Sequence, residues 1–147
     1  MTVLVSRRLY LTEINMSNYR TYQHKDNKIE FSPDPKKPFT IIHGVSGEGK
    51  TTLLNAIAFF IPPEKRVVSI EDTRELNLPR ENWLPSVVRS GIGGDGVGEV
   101  DMFSLLKSSF RQNPDYVIVG EVRGKEASVL FQGMASGHAS ISTMHAD

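Results

Sequence analysis

The segment Gly44-Val45-Ser46-Gly47-Glu48-Gly49-Lys50-Thr51 fits the pattern G-x-x-x-x-G-K-[ST], and its flanks restrict the fold around it. Before it, Phe39-Thr40-Ile41-Ile42-His43 predicts a short buried strand. After it, residues 50–60 predict a helix with Leu53, Leu54, Ile57, Phe60 and Ile61 on its apolar side, stopped by Pro62-Pro63. Between strand and helix, the glycines let successive backbone N–H groups turn inward around a phosphate. The positive end of the helix dipole adds to the attraction. Lys50 is then expected to reach the β and γ phosphates, and the Thr51 hydroxyl to meet Mg²⁺, with Thr52 completing the binding segment. The motif predicts a nucleoside triphosphate, with ATP and Mg²⁺ as the expected ligands.

Composition excludes several other classes. The 147 residues suffice for one domain with a real core. Seventeen Lys and Arg balance seventeen Asp and Glu, so no net field draws the chain onto nucleic acid or an anionic membrane. With no cysteine there are no disulfides and no thiolate metal sites, which fits a cytoplasmic protein. The longest apolar run, Ala56 to Ile61, is too short to cross a bilayer, and the N-terminus lacks a signal-peptide core. The expectation is a soluble, intracellular protein.

Along the chain, the pattern changes at the loop. Tyr10, Thr12, Ile14 and Met16 alternate with polar residues, a polar turn follows, and Ile29 and Phe31 alternate again, predicting a small antiparallel unit. The proline-rich stretch from Ser32 to Pro38 reads as a stiff connector. After the loop, strands alternate with helices, as in a parallel sheet. Val67-Val68-Ser69-Ile70, Tyr116-Val117-Ile118-Val119 and Ala139 to Met144 are the predicted strands. Asp101 is the predicted cap of a helix running to about Gln112 and ended by Asn113-Pro114. A further helix spans about Lys125 to Ser136 and closes at Gly137. The stretch from Thr73 to Gly98, ending in a glycine-rich run, reads as irregular.

Triphosphate hydrolysis needs a carboxylate to orient water, a cation across the phosphates and donors for the developing charge. Glu121 directly follows a predicted strand, and Gly120 stands where many phosphate-loop enzymes carry a magnesium-binding Asp. Glu121 and the Glu71-Asp72 pair must therefore share those duties, with Thr51 and Glu121 as metal ligands. Neighbouring carboxylates repel unless a divalent cation offsets their charge. His138 and His145 bracket the last strand seven residues apart and project to opposite faces, which rules out a shared metal. Either can still hydrogen-bond a γ-phosphate or a carboxylate. Arg111 and Arg123 flank the Glu121 strand and are candidates for charge stabilisation, including across a subunit boundary.

From about Thr51 to Asp147 the sequence resembles the type II/type IV secretion ATPases, particularly the archaeal secretory and archaellum or pilus assembly members. It carries that family's four boxes in order: the Walker A loop, an "Asp box" at Ile70-Glu71-Asp72-Thr73-Arg74-Glu75-Leu76, an atypical Walker B from Arg111 to Gly124, and a "His box" from Gly137-His138 to His145-Ala146. Gly120 is normal for the family. The resemblance implies a RecA-like P-loop NTPase fold and a homo-hexameric ring motor at the cytoplasmic face of a membrane, working with an inner-membrane secretion or pilus platform. It also implies Glu121 as catalytic carboxylate, Glu71 as its partner, His145 as γ-phosphate sensor, and Arg111 and Arg123 as finger residues.

The first part looks different. Leu11 to Arg20, Ile29 to Asp34 and Phe39 to Gly44 resemble the start of SMC/RecF-type ABC ATPases, which would make the chain a chimera. The expected fold is therefore α/β, a P-loop NTPase with a parallel sheet core (residues 39–147) preceded by a small antiparallel β unit (residues 1–38) and truncated at its C-terminus. The leading functional expectation is a Mg-ATP-hydrolysing motor for protein export or pilin assembly. The alternatives are an SMC/RecF-like ATPase acting with DNA, whose Leu-Ser-Gly-Gly signature is poorly matched by Ser90-Gly91-Ile92-Gly93-Gly94, and a nucleotide-binding fragment without turnover. Alone, the chain is expected to be monomeric.

Overall fold

In the computed structural model, residues 49–91 and 98–144 are described with their side chains, and residues 2–5, 13–16, 27–30 and 40–43 as backbone strands. The strands are β1 (Thr2–Val5), β2 (Glu13–Met16), β3 (Asn27–Glu30), β4 (Thr40–His43), β5 (Val67–Glu71), β6 (Trp83–Val87), β7 (Tyr116–Val122) and β8 (Ala139–Met144). The helices are α1 (Lys50–Phe59), α2 (Met102–Phe110) and α3 (Glu126–Ala135).

Six strands form one sheet in the order β4-β1-β8-β7-β5-β6, and β2 pairs with β3 antiparallel in a second sheet. From β8 to β6 every pairing is parallel, as the alternation of strands and helices predicts. β1 is antiparallel to both β8 and β4, so β4 runs in the same direction as β8. Thr2 pairs with His43 on one side and Met144 on the other. This register brings the end of β4, where the phosphate loop begins, to the same sheet edge as the end of β8. β1 thus belongs to the main sheet, and the small antiparallel unit consists of β2 and β3.

The central strands β5, β7 and β8 are buried because both faces are covered; β5 and β7 are largely apolar, while β8 buries Ser140, Ser142 and Thr143 beside Ile141. Alternate residues of β7 serve two separate cores. Tyr116 and Ile118 pack with Leu53, Leu54 and Ile57 of α1, while Val117 and Val119 pack with Leu106 of α2 and Leu130 of α3. Each fully buried Leu or Ile contributes roughly 1.5–3 kcal/mol relative to exposure. On α1 one expectation fails: Phe60 is 57% exposed, whereas Ile61 is buried. The helix ends at Phe59, so Phe60 leaves the helical period and the turn swings Ile61 inward. Arg80 closes this end, donating to the carbonyls of Ala58 (3.2 Å) and Ile61 (2.6 Å), where a cation complements the negative pole of the helix.

Asp101 caps α2 as expected, its carboxylate accepting from the Ser104 amide at 2.8 Å. Asn113 follows in the left-handed region (φ 51°), a conformation that Asn tolerates better than most residues. The stretch read as irregular contains β6, which carries Pro85. A proline is admissible there because β6 is the edge strand.

Candidate active site

The last glycine of the phosphate-loop motif explains its own identity. Gly49 stands at the cap of α1 with φ 80°, a backbone geometry costly for a residue with a Cβ. Lys50 and Thr51 then open the helix. Gly44 to Glu48 lie outside the described residues, as do His145 and the glycine-rich residues 92–97.

At the carboxyl edge, Glu71 ends β5 and Glu121 lies near the end of β7. Ile70 pairs with Val119, so the next position of each strand sets Glu71 beside Gly120. A Cβ on Gly120 would lie 3.1 Å from the Glu71 Cγ and 3.5 Å from its Cβ. A bare glycine is what lets the carboxylate lie across the strand. A larger residue at position 120 would need the Glu71 side chain to shift by a few tenths of an ångström.

Glu71 is 2% exposed, although burial of a lone carboxylate is costly. Its Oε1 accepts from the amides of Glu75 and Leu76, both at 2.9 Å, while Oε2 is buried with no partner among the described residues. Asp72, next in sequence, turns outward to solvent and comes within 4.0 Å of the Arg123 guanidinium.

Glu121 is displaced from the regular ladder. The β7–β8 register shifts between Val119 and Val122, and a bulge of this kind re-aims the side chain it carries. The Thr143 hydroxyl of β8 donates to the Gly120 carbonyl within the bulge, giving that backbone group a partner. Arg123 grips Glu121 through two nitrogens, Nε at 2.7 Å and Nη2 on the same carboxylate oxygen. The hydrogen bond and charge of Glu121 raise the Arg123 pKa still further. In this arrangement Arg123 partners the carboxylate of its own chain.

Beside these residues lies a hollow of about 300 Å³, whose lining includes Asp72, Glu121, Arg123, Arg89, Asp101 and Lys125. Lys125 bridges to Asp101 at 3.1 Å. The loop leading into α3 is tied down by Glu126, the first residue of the helix, which folds back to accept from the amides of Arg123 (2.7 Å) and Gly124 (2.8 Å).

Arg111 and His138 lie elsewhere. Arg111 is the exposed cap of α2, in the turn whose Gln112 carbonyl receives Arg66, the residue preceding β5. His138 precedes β8, its ring 4.8 Å from that of Phe110 and its Nδ1 3.3 Å from the Gly133 carbonyl. Both stand at the amino edge. A strand as long as β7 separates the two edges by about 20 Å, so neither can share a phosphate with Glu71 and Glu121 of the same chain. Both precede their strands in the chain, which in a parallel sheet sets them opposite the carboxyl ends.

Among the described residues, no three His, Cys, Asp or Glu side chains converge as a metal cage. Mg²⁺ does not require one, since it is usually held by one or two carboxylates, waters and the substrate phosphates. The unpartnered Oε2 of Glu71 and the Thr51 hydroxyl offer hard oxygen donors of that kind.

The family model described as "Type II/IV secretion system protein" matches residues 2–147. The chain belongs to this family. The match takes in the amino-terminal part, so residues 2–38 lie inside the same family match despite their SMC/RecF-type pattern. Among curated relatives, the uncharacterized protein MJ1287 of Methanocaldococcus jannaschii is 54% identical over 106 residues, which is 72% of this chain and 39% of that protein. Protein VirB11 of Agrobacterium fabrum is 39% identical over 71% of this chain and 30% of its own length. The crystal structure of the VirB11 ATPase from the Brucella suis type IV secretion system superposes with a TM-score of 0.59 at 36% identity, covering 69% of this chain and 28% of that one. The Legionella pneumophila ATPase DotB, at 21% identity and a TM-score of 0.52, supports the fold alone. The chain therefore spans well under half the length of these relatives. No helix among the described residues is long and apolar enough to cross a membrane.

Proposed function

We propose that this chain is the nucleotide-binding core of a secretion-type motor, taking Mg-ATP at Gly44 to Thr52 and hydrolysing it with the carboxylates at the sheet's carboxyl edge. The observation that carries the reading is the Glu71–Gly120–Glu121 arrangement. A buried carboxylate with an oxygen unpartnered among the described residues lies against a glycine, and the next residue is a bulged, partly buried glutamate. Lys50 meets the β and γ phosphates, and Thr51, Glu71 and Glu121 supply the oxygens toward the metal. Mg²⁺, when bound, neutralises charge on the β and γ phosphates. Glu121 orients the attacking water, and Arg123 holds Glu121 in place until nucleotide arrives. Arg111, too far from its own carboxylates, serves a neighbouring subunit of a hexameric ring. That ring works at the cytoplasmic face of a membrane in protein export or pilin assembly.

A carboxylate that orients water acts mainly on the transition state. Glu121→Gln should therefore retain ATP with near-normal affinity and lose hydrolysis by about a hundredfold or more. Normal phosphate release by Glu121→Gln alongside a dead Glu71→Gln would transfer the catalytic role to Glu71.

A further inference from the structure

Asn55 stands one helical turn after Thr51, on the same face of α1. Its amide side chain is fully engaged in an unusual way. Nδ2 donates to the Thr51 carbonyl at 3.1 Å and to the Glu75 carbonyl at 3.4 Å, while Oδ1 accepts from the Asn77 amide at 3.1 Å. The same short segment holds Glu71 from its other side, through the amides of Glu75 and Leu76. Residues 75–77 thus form a bridge, bonded to the phosphate-loop helix at one end and to the buried carboxylate at the other.

The bonds are directional, so the bridge transmits position. Glu71 Oε1 is fixed by two amides whose own placement depends on Asn55, and fixing Oε1 fixes the direction of the unpartnered Oε2. Leu76, buried among the residues packed on α1, keeps the segment from swinging away. A hydrophobic residue at position 55 would leave the Asn77 amide and Glu75 carbonyl to find other partners. Asp at 55 would keep the acceptor and lose both donations.

We infer that Asn55 is a positioning residue that sets the Glu71 carboxylate relative to Thr51, and hence governs the metal-dependent part of nucleotide binding. The inference rests on the proposed Mg-ATP site, because it assigns Asn55 a role through Glu71. Groups that orient a metal's ligands typically change metal affinity by 10–100-fold when removed, without abolishing the fold.

The test is a titration of a fluorescent ATP analogue, with Mg²⁺ and with excess EDTA, on the wild-type chain, Asn55→Asp, Glu71→Gln and the double variant. Asn55→Asp is expected to weaken Mg²⁺-supported binding about tenfold, leave binding in EDTA unchanged, and add nothing in the Glu71→Gln background. Asn55→Ala should give the same pattern, which guards against a folding defect peculiar to the new charge. Equal losses with and without Mg²⁺, wild-type behaviour, or additive effects in the double variant would each overturn the role of Asn55. If the wild-type chain binds no nucleotide in either condition, the Mg-ATP reading itself falls, and the inference with it.

Discussion

Gly120 and Glu71 occupy adjacent strands so closely that one added carbon at position 120 would lie 3.1 Å from the Glu71 Cγ. Real Cβ contacts are rarely that tight, and the neighbour here is a buried side chain with both its strand and its Oε1 bonds fixed. Gly120→Ala should push Glu71 off its amides and lower Mg-ATP binding or turnover with a modest loss of stability. Gly120→Asp adds like-charge repulsion and should be worse. Thermal melts combined with nucleotide titration check this. Equal function in all three proteins would show that the contact does not constrain the site.

Gly133 is a second glycine whose absence of a side chain is required. A Cβ there would come within 2.0 Å of the Phe110 ring, which also packs against His138. Alanine ordinarily favours a helix interior by up to about 1 kcal/mol over glycine. Overpacking of a rigid ring costs about 1–3 kcal/mol, so clash should win. Gly133→Ala is expected to lower the melting temperature, and pairing it with Phe110→Leu should recover part of the loss. A more stable Gly133→Ala protein would contradict the packing between α2 and α3.

Acid should loosen the carboxyl edge through two carboxylates that accept from backbone amides. Burial pushes the Glu126 pKa up, but the amides of Arg123, Glu126 and Gly124 outweigh it and hold the carboxyl below its ordinary value of 4.5. The Asp101 carboxyl is held down to about 2, chiefly by its bonds to Ser104. Both folded pKa values are depressed, so both groups contribute stability above their unfolded pKa and lose it as pH falls through the folded one. Melting temperature should therefore drop as pH falls below about 4.5, and Glu126→Gln should flatten that slope. Glu126→Ala, which removes the acceptor for the Arg123 and Gly124 amides, should cost about 1 kcal/mol at neutral pH. An unchanged slope in Glu126→Gln, followed by circular dichroism across the acid range, would contradict the assignment.

What the sequence discloses follows from how local each signal is. β5 and β7 are legible because Val and Ile runs buried on both faces need no partner to be recognised. Asp101, Gly49 and Gly137 are legible because caps and left-handed positions select residue types directly. β6 is obscured by Pro85, which an edge position tolerates, and by a mixed burial pattern. β1 carries the apolar run Val3-Leu4-Val5, yet its partners lie some 35 and 140 residues away along the chain, beyond any local pattern. The carboxylates Glu71 and Glu121 emerge from strand ends, whereas Asn55 and Thr143 act through backbone groups remote in sequence and carry no motif. Arg111 and His138 precede β7 and β8, so in a parallel sheet chain order alone sets them at the edge opposite Glu121.

Every role assigned to Glu71, Glu121 and Asn55 presumes a nucleotide held at the loop from Gly44 to Thr51. Isothermal titration of Mg-ATP into the wild-type chain and into Lys50→Ala tests it most directly, because the Lys50 ammonium is the cation assigned to the β and γ phosphates. Saturable binding by the wild type, with no detectable heat from a folded Lys50→Ala variant, is the predicted result. The same affinity in both proteins would contradict it.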